Sequence, residues 1–471
     1  MKNAIEVRCQ SFTYEEGRTS ILEAFNFTVV YGRVTLLSGL SGSGKSTLLS
    51  LINGIIPRMM AGTFLGEVLI DGENMVGKTM SQISRKVGSV LQNAESQIIH
   101  QVVEDEIAFG CENFGIEPEE IEKRVSIGCD LMRIDRSWKT RKLSGGQKQR
   151  LITASTLAME PNILIFDEPL ANLDQKGALE LLNLLQDLAR KGKAILVVEH
   201  RLDVVLPFVD DVWQLKDKKA VKIEDKKEYL ESQISVIKDR KEDYVGKDTL
   251  SIRMEGVSKK FGKRSILAGV TAEIKEGERI LLLGENGCGK STLMNILARL
   301  LKADGGRIEQ YLNPSLKRAN KRWFQEVGLV YQNPNYQLFM PSVKEEILFG
   351  AEDSSYALDI AQKFGLTDLL DRHPHSLSEG QKRRVTIAAI LAQKPKLLLL
   401  DEPTVGQDYE GLKCMVDVIN EIHRIEQNTM ITVTHDFRCA AALCDQVLWM
   451  EDGNIIKAGD KQLVREFFPI T

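Results

Sequence analysis

Two phosphate-binding loop motifs are the residues of this sequence that most directly imply chemistry. The pattern G-x-x-x-x-G-K-[ST] occurs at Gly39–Ser46 and again at Gly284–Ser291. Glycines in such a loop let backbone N–H groups face a phosphate, the lysine places a cation near the β- and γ-phosphates, and the next hydroxyl binds Mg²⁺. We therefore predict two nucleotide sites, formed by Gly39, Ser41, Gly42, Ser43, Gly44, Lys45, Ser46 and Thr47, and by Gly284, Asn286, Gly287, Cys288, Gly289, Lys290, Ser291 and Thr292.

Paired carboxylates follow two long apolar runs, Ile163–Phe166 and Leu397–Leu400. Runs of this kind are typical of strands buried on both faces. The first acid of each pair, Asp167 or Asp401, is predicted to bind Mg²⁺ together with Ser46 or Ser291. The second acid, Glu168 or Glu402, is placed to polarise the water that attacks the γ-phosphorus.

Glutamine and histidine also recur at equivalent strand ends. Gln92 and Gln332 end apolar segments, and their recurrence favours a role at Mg²⁺ or at the attacking water over a simple strand cap. His200 and His435 end later strands and are predicted to contact the γ-phosphate, the alternative being a structural histidine.

Two further groups of residues point to the nucleotide. Tyr14 and Phe261 follow the first strand of each half, where a ring could stack on adenine, although core packing is the alternative. The sequences Leu143–Gln147 and Leu377–Gln381 precede predicted helices, and a Ser-Gly pair before a helix N-terminus suits an anion such as a γ-phosphate. The residues concerned are Ser144, Gly145, Gly146 and Gln147, and Ser378, Gly380 and Gln381.

These motifs require a strand, loop and helix around each phosphate loop, and the apolar periodicity supplies them. Each half is predicted to be an α/β domain with a mostly parallel sheet, an antiparallel β region and an inserted helical region, which spans residues 97–142 in the first half. We predict the first domain at residues 1–220, a charged linker at 221–248 and the second domain at 249–471. The charged stretch at residues 216–247 is interpreted as the last strand of the first domain, a short helix and a solvated linker.

Composition narrows the class of protein. The formal net charge of −4 gives no global basic excess, which disfavours a nucleic-acid binder. The seven cysteines show no C-x-x-C pairing and are expected to be reduced thiols of a cytosolic protein. The sequence has no apolar window of 18 residues and no signal-like start, so we expect that the chain does not itself cross a membrane.

The six motifs occur in the same order in both halves, which resemble ABC-type ATPase domains: Walker A loop, Q-loop glutamine, LSGGQ-type signature, Walker B acids, D-loop and switch histidine. Glu379 in the second signature and Phe261 in place of the usual Tyr are departures. The resemblance implies two ATP and Mg²⁺ sites with the halves paired head to tail. The Walker A loop with Lys45 would then face the signature at Ser378, and the loop with Lys290 would face the signature at Ser144.

A finer resemblance rests on four segments: Gly54–Pro57, Gln92–Gln97, Val103–Gly110 and Val198–Arg201. They are similar to the tandem ATPase subunits of energy-coupling factor (ECF) importers. This implies a peripheral ATPase at the cytoplasmic face of the cell membrane, bound to a membrane coupling protein and a small substrate-binding membrane protein, that drives uptake of a vitamin or metal ion. The alternatives are a soluble tandem ATPase acting on ribosomes or nucleic acid, and a sugar importer ATPase. The short mixed-charge linker and both switch histidines disfavour the ribosome alternative.

Two narrower expectations follow. The acidic residues Glu104–Glu106 and Glu345–Glu346 are expected to line grooves for basic helices of a membrane partner. Cys288 lies beside Lys290 and a predicted helix N-terminus, which should lower the pKa of its thiol.

Overall fold

The computed structural model describes residues 2–15, 17, 19–171, 173–234, 248–311 and 321–468. The chain divides into two compact units, a first unit at Met1–Gln233 and a second unit at Ile234–Thr471. Each unit has an α/β core with one mainly parallel sheet and one antiparallel sheet, as the motif order predicts.

The first unit is built on a six-stranded sheet in the order β10-β9-β3-β8-β7-β6. All neighbouring strands are parallel except the β9–β10 pair. The bounds are β3 Val34–Gly39, β6 Val87–Val90, β7 Ile163–Asp167, β8 Ala194–Val198, β9 Asp211–Lys216 and β10 Lys219–Ile223.

Both faces of this sheet are covered, which explains the unbroken apolar runs. In β7, Ile163 and Ile165 pack into a core shared with the antiparallel sheet, whereas Leu164 and Phe166 pack into a second core on the opposite face. The antiparallel sheet has the order β2-β1-β4-β5, with β1 Asn3–Tyr14, β2 Leu22–Val30, β4 Gly62–Ile70 and β5 Glu73–Asn74.

Helices of the first unit cover the sheet and form the inserted helical region, in which α4, α5 and α6 share a separate apolar cluster. Their bounds are α1 Lys45–Ile52, α2 Ile55–Arg58, α3 Met80–Ser84, α4 Val103–Asn113, α5 Pro118–Met132, α6 Gly145–Ala158, α7 Gln175–Arg190, α8 Leu202–Val205 and α9 Lys226–Ile234.

The second unit repeats this plan. Its parallel sheet has the order β15-β16-β17-β13-β18-β19, with β19 antiparallel to β18, and its antiparallel sheet has the order β12-β11-β14. The strands are β11 Leu250–Phe261, β12 Arg264–Lys275, β13 Arg279–Leu283, β14 Gly305–Gln310, β15 Val327–Val330, β16 Leu397–Asp401, β17 Thr429–Val433, β18 Gln446–Glu451 and β19 Asn454–Asp460. The helices are α10 Lys290–Leu297, α11 Lys321–Glu326, α12 Val343–Leu348, α13 Ser354–Lys363, α14 Glu379–Leu391, α15 Tyr409–Glu426, α16 Phe437–Leu443 and α17 Gln462–Phe467.

The first unit continues beyond residue 220, where we place the start of the linker. Strand β10 pairs with β9, and α9 packs Tyr229 into the core. The buried hydroxyl groups of Tyr229 and Ser38 are 2.8 Å apart, so α9 is hydrogen-bonded to a strand of the main sheet. The rest of the predicted linker, residues 235–247, lies outside the described residues.

None of the helices in the described ranges has the length and apolar character needed to cross a membrane.

Candidate functional site

Each phosphate loop connects a buried strand to the helix that begins at its lysine. Gly44 and Gly289 precede these helices with φ of +104° and +108°, in the left-handed region that favours glycine. The amino group of Lys45 donates to the carbonyls of Gly39 and Leu40, both at 2.8 Å. Lys290 does the same to Gly284 at 2.7 Å and Glu285 at 2.9 Å. Carbonyl groups of each loop thus hold the amino group of its own lysine.

The two predicted catalytic glutamates share an unusual backbone conformation. Glu168 and Glu402 have φ of +49° and +51°. Left-handed backbone in a non-glycine residue costs about 1–3 kcal/mol and is concentrated at functional sites. Each glutamate N–H donates at 2.9 Å to the last residue of the next strand, Val198 or Val433, and this bond holds the conformation.

In the first unit the structure brings together Gln92, Glu168 and His200. The Gln92 amide donates to a Glu168 carboxylate oxygen at 2.9 Å, and His200 Nε2 lies 3.4 Å from the other oxygen. Burial opposes ionisation of Glu168, but the hydrogen bond and charge of His200 hold its pKa below the ordinary value. The carboxylate is therefore kept ionised, as a group that polarises water must be.

In the second unit Glu402 and His435 meet a residue of the phosphate loop. His435 Nε2 is 3.1 Å from Asn286 Oδ1 and 3.5 Å from Glu402 Oε1. The His435 backbone N–H also donates to Glu402 at 3.2 Å. His435 thus lies between the second phosphate loop and Glu402, the predicted catalytic glutamate.

The residues present fit the Mg²⁺ that this class of site uses. Burial, followed by the charge of Glu168, raises the pKa of Asp167 to about 7. Burial likewise raises the pKa of Asp401, whose carboxylate is hydrogen-bonded to Ser291. Oxygen ligands and buried carboxylates are the donor set that Mg²⁺ prefers. When bound, the ion would neutralise charge on the phosphate oxygens, and Ser46, Asp167 and Gln92, or Ser291, Asp401 and Gln332, would hold it.

Glu199 is a functional candidate that lies in one of the four segments resembling ECF subunits, Val198–Arg201, but the sequence patterns assigned it no role of its own. This carboxylate is 3% exposed and accepts backbone N–H groups of Leu170 at 3.0 Å and His200 at 2.7 Å. Burial, followed by the charge of Glu168, raises its pKa. The equivalent residue in the second unit is Thr434, whose hydroxyl lies 3.2 Å from that of Thr404. An acid directly before the switch histidine in only one half is the sequence signal that could have indicated it.

The signature serines cap the helices α6 and α14. Each serine side chain accepts the backbone N–H three residues later, and that glutamine side chain accepts the serine N–H, for the pairs Ser144–Gln147 and Ser378–Gln381. The D-loops are residues 171–174 in the first unit and 405–408 in the second. In the second unit the Gln407 amide donates to the Gly380 carbonyl at 2.7 Å, linking the D-loop to the signature. Asn172 of the first D-loop lies outside the described residues.

The two candidate adenine platforms differ. Tyr14 is partly buried against the first core, its ring packs edge-on to Phe12 at 4.9 Å, and its hydroxyl is 2.8 Å from that of Thr47. Phe261 is 52% exposed, with the amino group of Lys259 5.6 Å from its ring centre. Phe261 is thus a largely exposed ring with a lysine amino group over it, whereas Tyr14 also contributes to packing.

The expectation of an activated thiol at Cys288 is wrong. Burial raises the pKa of this thiol, and the charge of Lys290, with its Nζ 4.0 Å from the sulfur, only partly offsets it. The Lys290 amino group also donates hydrogen bonds to the carbonyls of Gly284 and Glu285.

The expectation that Glu106 and Glu346 line docking grooves is also wrong, because both side chains are buried. Glu106 accepts the N–H groups of Ile99 and His100 at 2.8 and 2.6 Å. Glu346 accepts those of Phe339 and Met340 at 2.9 and 2.8 Å. Each carboxylate therefore holds the loop before its own helix, an effect that an acidic run alone does not reveal.

Sequence and fold comparisons agree with this geometry. The chain matches the ABC transporter family over residues 22–171 and 267–405. It is 33% identical to "Putative HMP/thiamine import ATP-binding protein YkoD" of Bacillus subtilis, over 94% of this chain and 89% of that protein. It is also 33% identical to a "Putative ABC transporter ATP-binding protein" of Treponema denticola, over 97% of this chain and 98% of the relative.

A solved structure of an archaeal ribosome recycling factor in complex with a ribosomal stalk protein has a TM-score of 0.65 and 21% identity, covering 95% of this chain and 90% of that one. At that identity the likeness shows the fold alone. Both halves carry a phosphate loop, paired acids and a switch histidine in the same order, and both match the family. The chain therefore belongs to the ABC transporter ATPases and carries two of their ATP-hydrolysing domains in tandem.

Proposed function

We propose that this ATPase is the motor subunit of an ECF-type importer and couples ATP binding and hydrolysis to uptake of a vitamin or metal ion. The observation that carries the proposal is the 33% identity, across nearly the whole chain, to a relative named for HMP/thiamine import. The four segments that resemble ECF subunits support it. The partners would be a membrane coupling protein and a small substrate-binding membrane protein, with this chain at the cytoplasmic membrane face.

In the proposed mechanism the two halves pair head to tail around two ATP molecules. One site would use Lys45, Ser46, Glu168 and His200 with the signature of the second half, and the other would use Lys290, Ser291, Glu402 and His435 with that of the first. Glu168 and Glu402 would each draw a proton from the attacking water, while the lysines neutralise phosphate charge. ATP that binds well only to the paired state would shift the halves together, and hydrolysis would release them.

The buried position of Glu106 and Glu346 changes the proposed docking chemistry. Beside them lie exposed apolar side chains: Ile99 is 67% exposed in the first unit, and Phe339 and Phe349 are 63% and 51% exposed in the second. The rings of Phe339 and Phe349 pack edge-on at 5.1 Å. One exposed acid, Asp105 or Glu345, lies next to each group. We infer that the membrane coupling protein binds here with amphipathic segments, through apolar contacts with a basic residue at the rim.

The docking test uses the double variant Ile99→Asp with Phe339→Asp. Charge in an apolar contact is costly, so the variant should lose membrane association in cells while ATPase activity of the isolated chain persists. Ile425→Asp is the matched control, because Ile425 is 60% exposed but lies on α15, outside both groups. Full membrane association of the double variant would contradict the assigned surface.

Isolation of the chain from membranes, with identification of co-purifying membrane proteins, tests the importer function itself. Two membrane partners, one of which carries a bound vitamin or metal ion, are expected. Sedimentation with ribosomes and absence from membranes would instead favour the soluble alternative.

A further inference from the structure

One position in the signature helices differs in charge between the two units. The residue two places after the signature glutamine is Gln149 in α6 and Arg383 in α14, and each side chain is only 2% exposed. In the second unit the Arg383 guanidinium donates to the carbonyl of Tyr331 at 2.6 Å and also to the carbonyl of Gln332. The signature helix is therefore bonded to the backbone of the Q-loop, Tyr331–Asn333, in its own unit.

A buried guanidinium is costly unless its donors are paired and nearby charges favour it. Burial lowers the pKa of Arg383 to about 10, and the charges of Glu402, Glu379 and Asp401 oppose that effect. The planar fork of arginine fits two adjacent carbonyls in a way that a lysine ammonium does not. The position thus favours arginine for its geometry as well as its charge.

The first unit has no equivalent bond among its described residues. The Gln149 side-chain nitrogen is buried without a hydrogen-bond partner there. The corresponding Q-loop, Leu91–Asn93, is held by the side chain of Gln97. This side chain accepts the Leu91 N–H at 2.8 Å and donates to the Ser89 carbonyl at 3.1 Å. Gln337 makes the same two bonds in the second unit. Arg383 is therefore an addition to a shared arrangement.

We propose that Arg383 is a positioning residue through which the two ATP sites communicate by way of the second unit. The proposal rests on the head-to-tail pairing proposed above. In that pairing the signature on α14 serves the site of Lys45, whereas Gln332 serves the site of Lys290. The two hydrogen bonds of Arg383 then join groups that belong to different sites. Coupling of this kind is reciprocal, so ATP at either site biases the other.

The test compares Arg383→Gln, Arg383→Lys and the reciprocal Gln149→Arg in the isolated full chain. Arg383→Gln should raise amide hydrogen exchange at residues 331–333 by roughly tenfold, because two backbone anchors are lost. It should lower kcat by about fivefold with less than about a twofold change in the KM for ATP, since a positioning group acts on the step after binding. Arg383→Lys keeps the charge but not the fork and should rescue neither quantity fully.

Arg384→Gln is the control, because it removes a charge from the same helix but contacts the Phe364 carbonyl instead of the Q-loop. It should leave exchange at residues 331–333 unchanged. Gln149→Arg should slow amide hydrogen exchange at residues 91–93. If Arg383→Gln does not fold, this slower exchange in Gln149→Arg is the measurement that tests the proposal. A folded Arg383→Gln with wild-type exchange and kcat, or a Gln149→Arg without added protection, would overturn the proposal.

These measurements need no membrane partner, so failure of the importer function would leave their outcome unaffected. The head-to-tail pairing is tested separately by combining changes at Lys290 and Ser144. If those changes affect different sites, the communication between sites is refuted even where the exchange results agree.

Discussion

The proposed ATP-binding residues of the two units belong to the same motifs but have different electrostatic surroundings. The first unit adds a buried carboxylate, Glu199, next to Glu168, the proposed catalytic glutamate, where the second unit has Thr434. The second unit adds a buried guanidinium, Arg383, where the first has Gln149. The same motif order in both units therefore does not give the two sites the same electrostatic surroundings. We expect the two sites to hydrolyse ATP at different rates.

The difference extends to the switch histidines. The backbone N–H of His200 donates to Glu199, whereas that of His435 donates to Glu402, the proposed catalytic glutamate of the second unit. In the first unit the neighbouring acid Glu199 thus accepts the histidine N–H that Glu402 itself accepts in the second unit. Glu168 instead accepts the Gln92 amide.

The largest expected effect comes from removing charge at the two proposed catalytic glutamates. Glu168→Gln and Glu402→Gln should each lower steady-state ATP hydrolysis while ATP binding survives, because the amide keeps the shape but not the charge. The double variant should lose about 100-fold or more in kcat. If the sites are unequal, the two single variants will differ. Near-full turnover in a single variant, with the other site separately shown to be active, would contradict the role of that glutamate.

The second comparison concerns which signature serves which phosphate loop. Lys290→Ala and Ser144→Arg are expected to damage one shared site, so their combination should cost little more than either change alone. Lys45→Ala with Ser144→Arg removes a group from each site and should abolish hydrolysis. Nucleotide trapping resolved by site measures both outcomes. Independent effects of Lys290 and Ser144 would mean that each half uses its own signature.

Residue type and spacing were sufficient to predict the two phosphate loops, the buried strands and the order of motifs. The apolar run before Asp167 predicts a strand covered on both faces, and its alternate residues do pack into two cores. The left-handed backbone of Glu168 has no local signal, because glutamate has no preference for that conformation. The Glu168 conformation depends on the end of β7 lying beside the end of β8, where the Glu168 N–H donates to the Val198 carbonyl.

Buried acids are the main features that the sequence did not indicate correctly. Glu106 lies in an acidic run at the start of a helix, a pattern typical of a solvated face. Its carboxylate instead turns back to two backbone N–H groups of the preceding loop, a contact that depends on the path of that loop. Glu199 has the same character. In each case the deciding partner is a backbone group, which leaves no trace in side-chain patterns.

A smaller effect is expected from Glu199, and its sign follows from the raised pKa. The folded state holds a proton on Glu199 more tightly than the unfolded chain does. The free energy of opening of the first unit should therefore fall as pH rises from the ordinary carboxylate pKa towards the raised value. Glu199→Gln should reduce this slope, whereas Thr434→Val in the second unit should not. Hydrogen exchange of core amides in β8 across that pH range measures it, and an unchanged slope in Glu199→Gln would contradict the assignment.

The smallest expected effect concerns a difference between the two phosphate loops. The second loop has Cys288 where the first has Ser43. Because burial raises the pKa of the Cys288 thiol, its reaction with a maleimide at neutral pH should be slower than that of an exposed cysteine and should accelerate as pH rises. ATP should slow it further, since the thiol lies beside Lys290 in the loop that is proposed to hold the phosphates. Peptide-resolved labelling measures the rate at Cys288, and Cys288→Ser identifies the labelled peptide. Rapid labelling at neutral pH would contradict the raised pKa of the Cys288 thiol, whereas labelling indifferent to ATP would contradict the place of Cys288 in the nucleotide site.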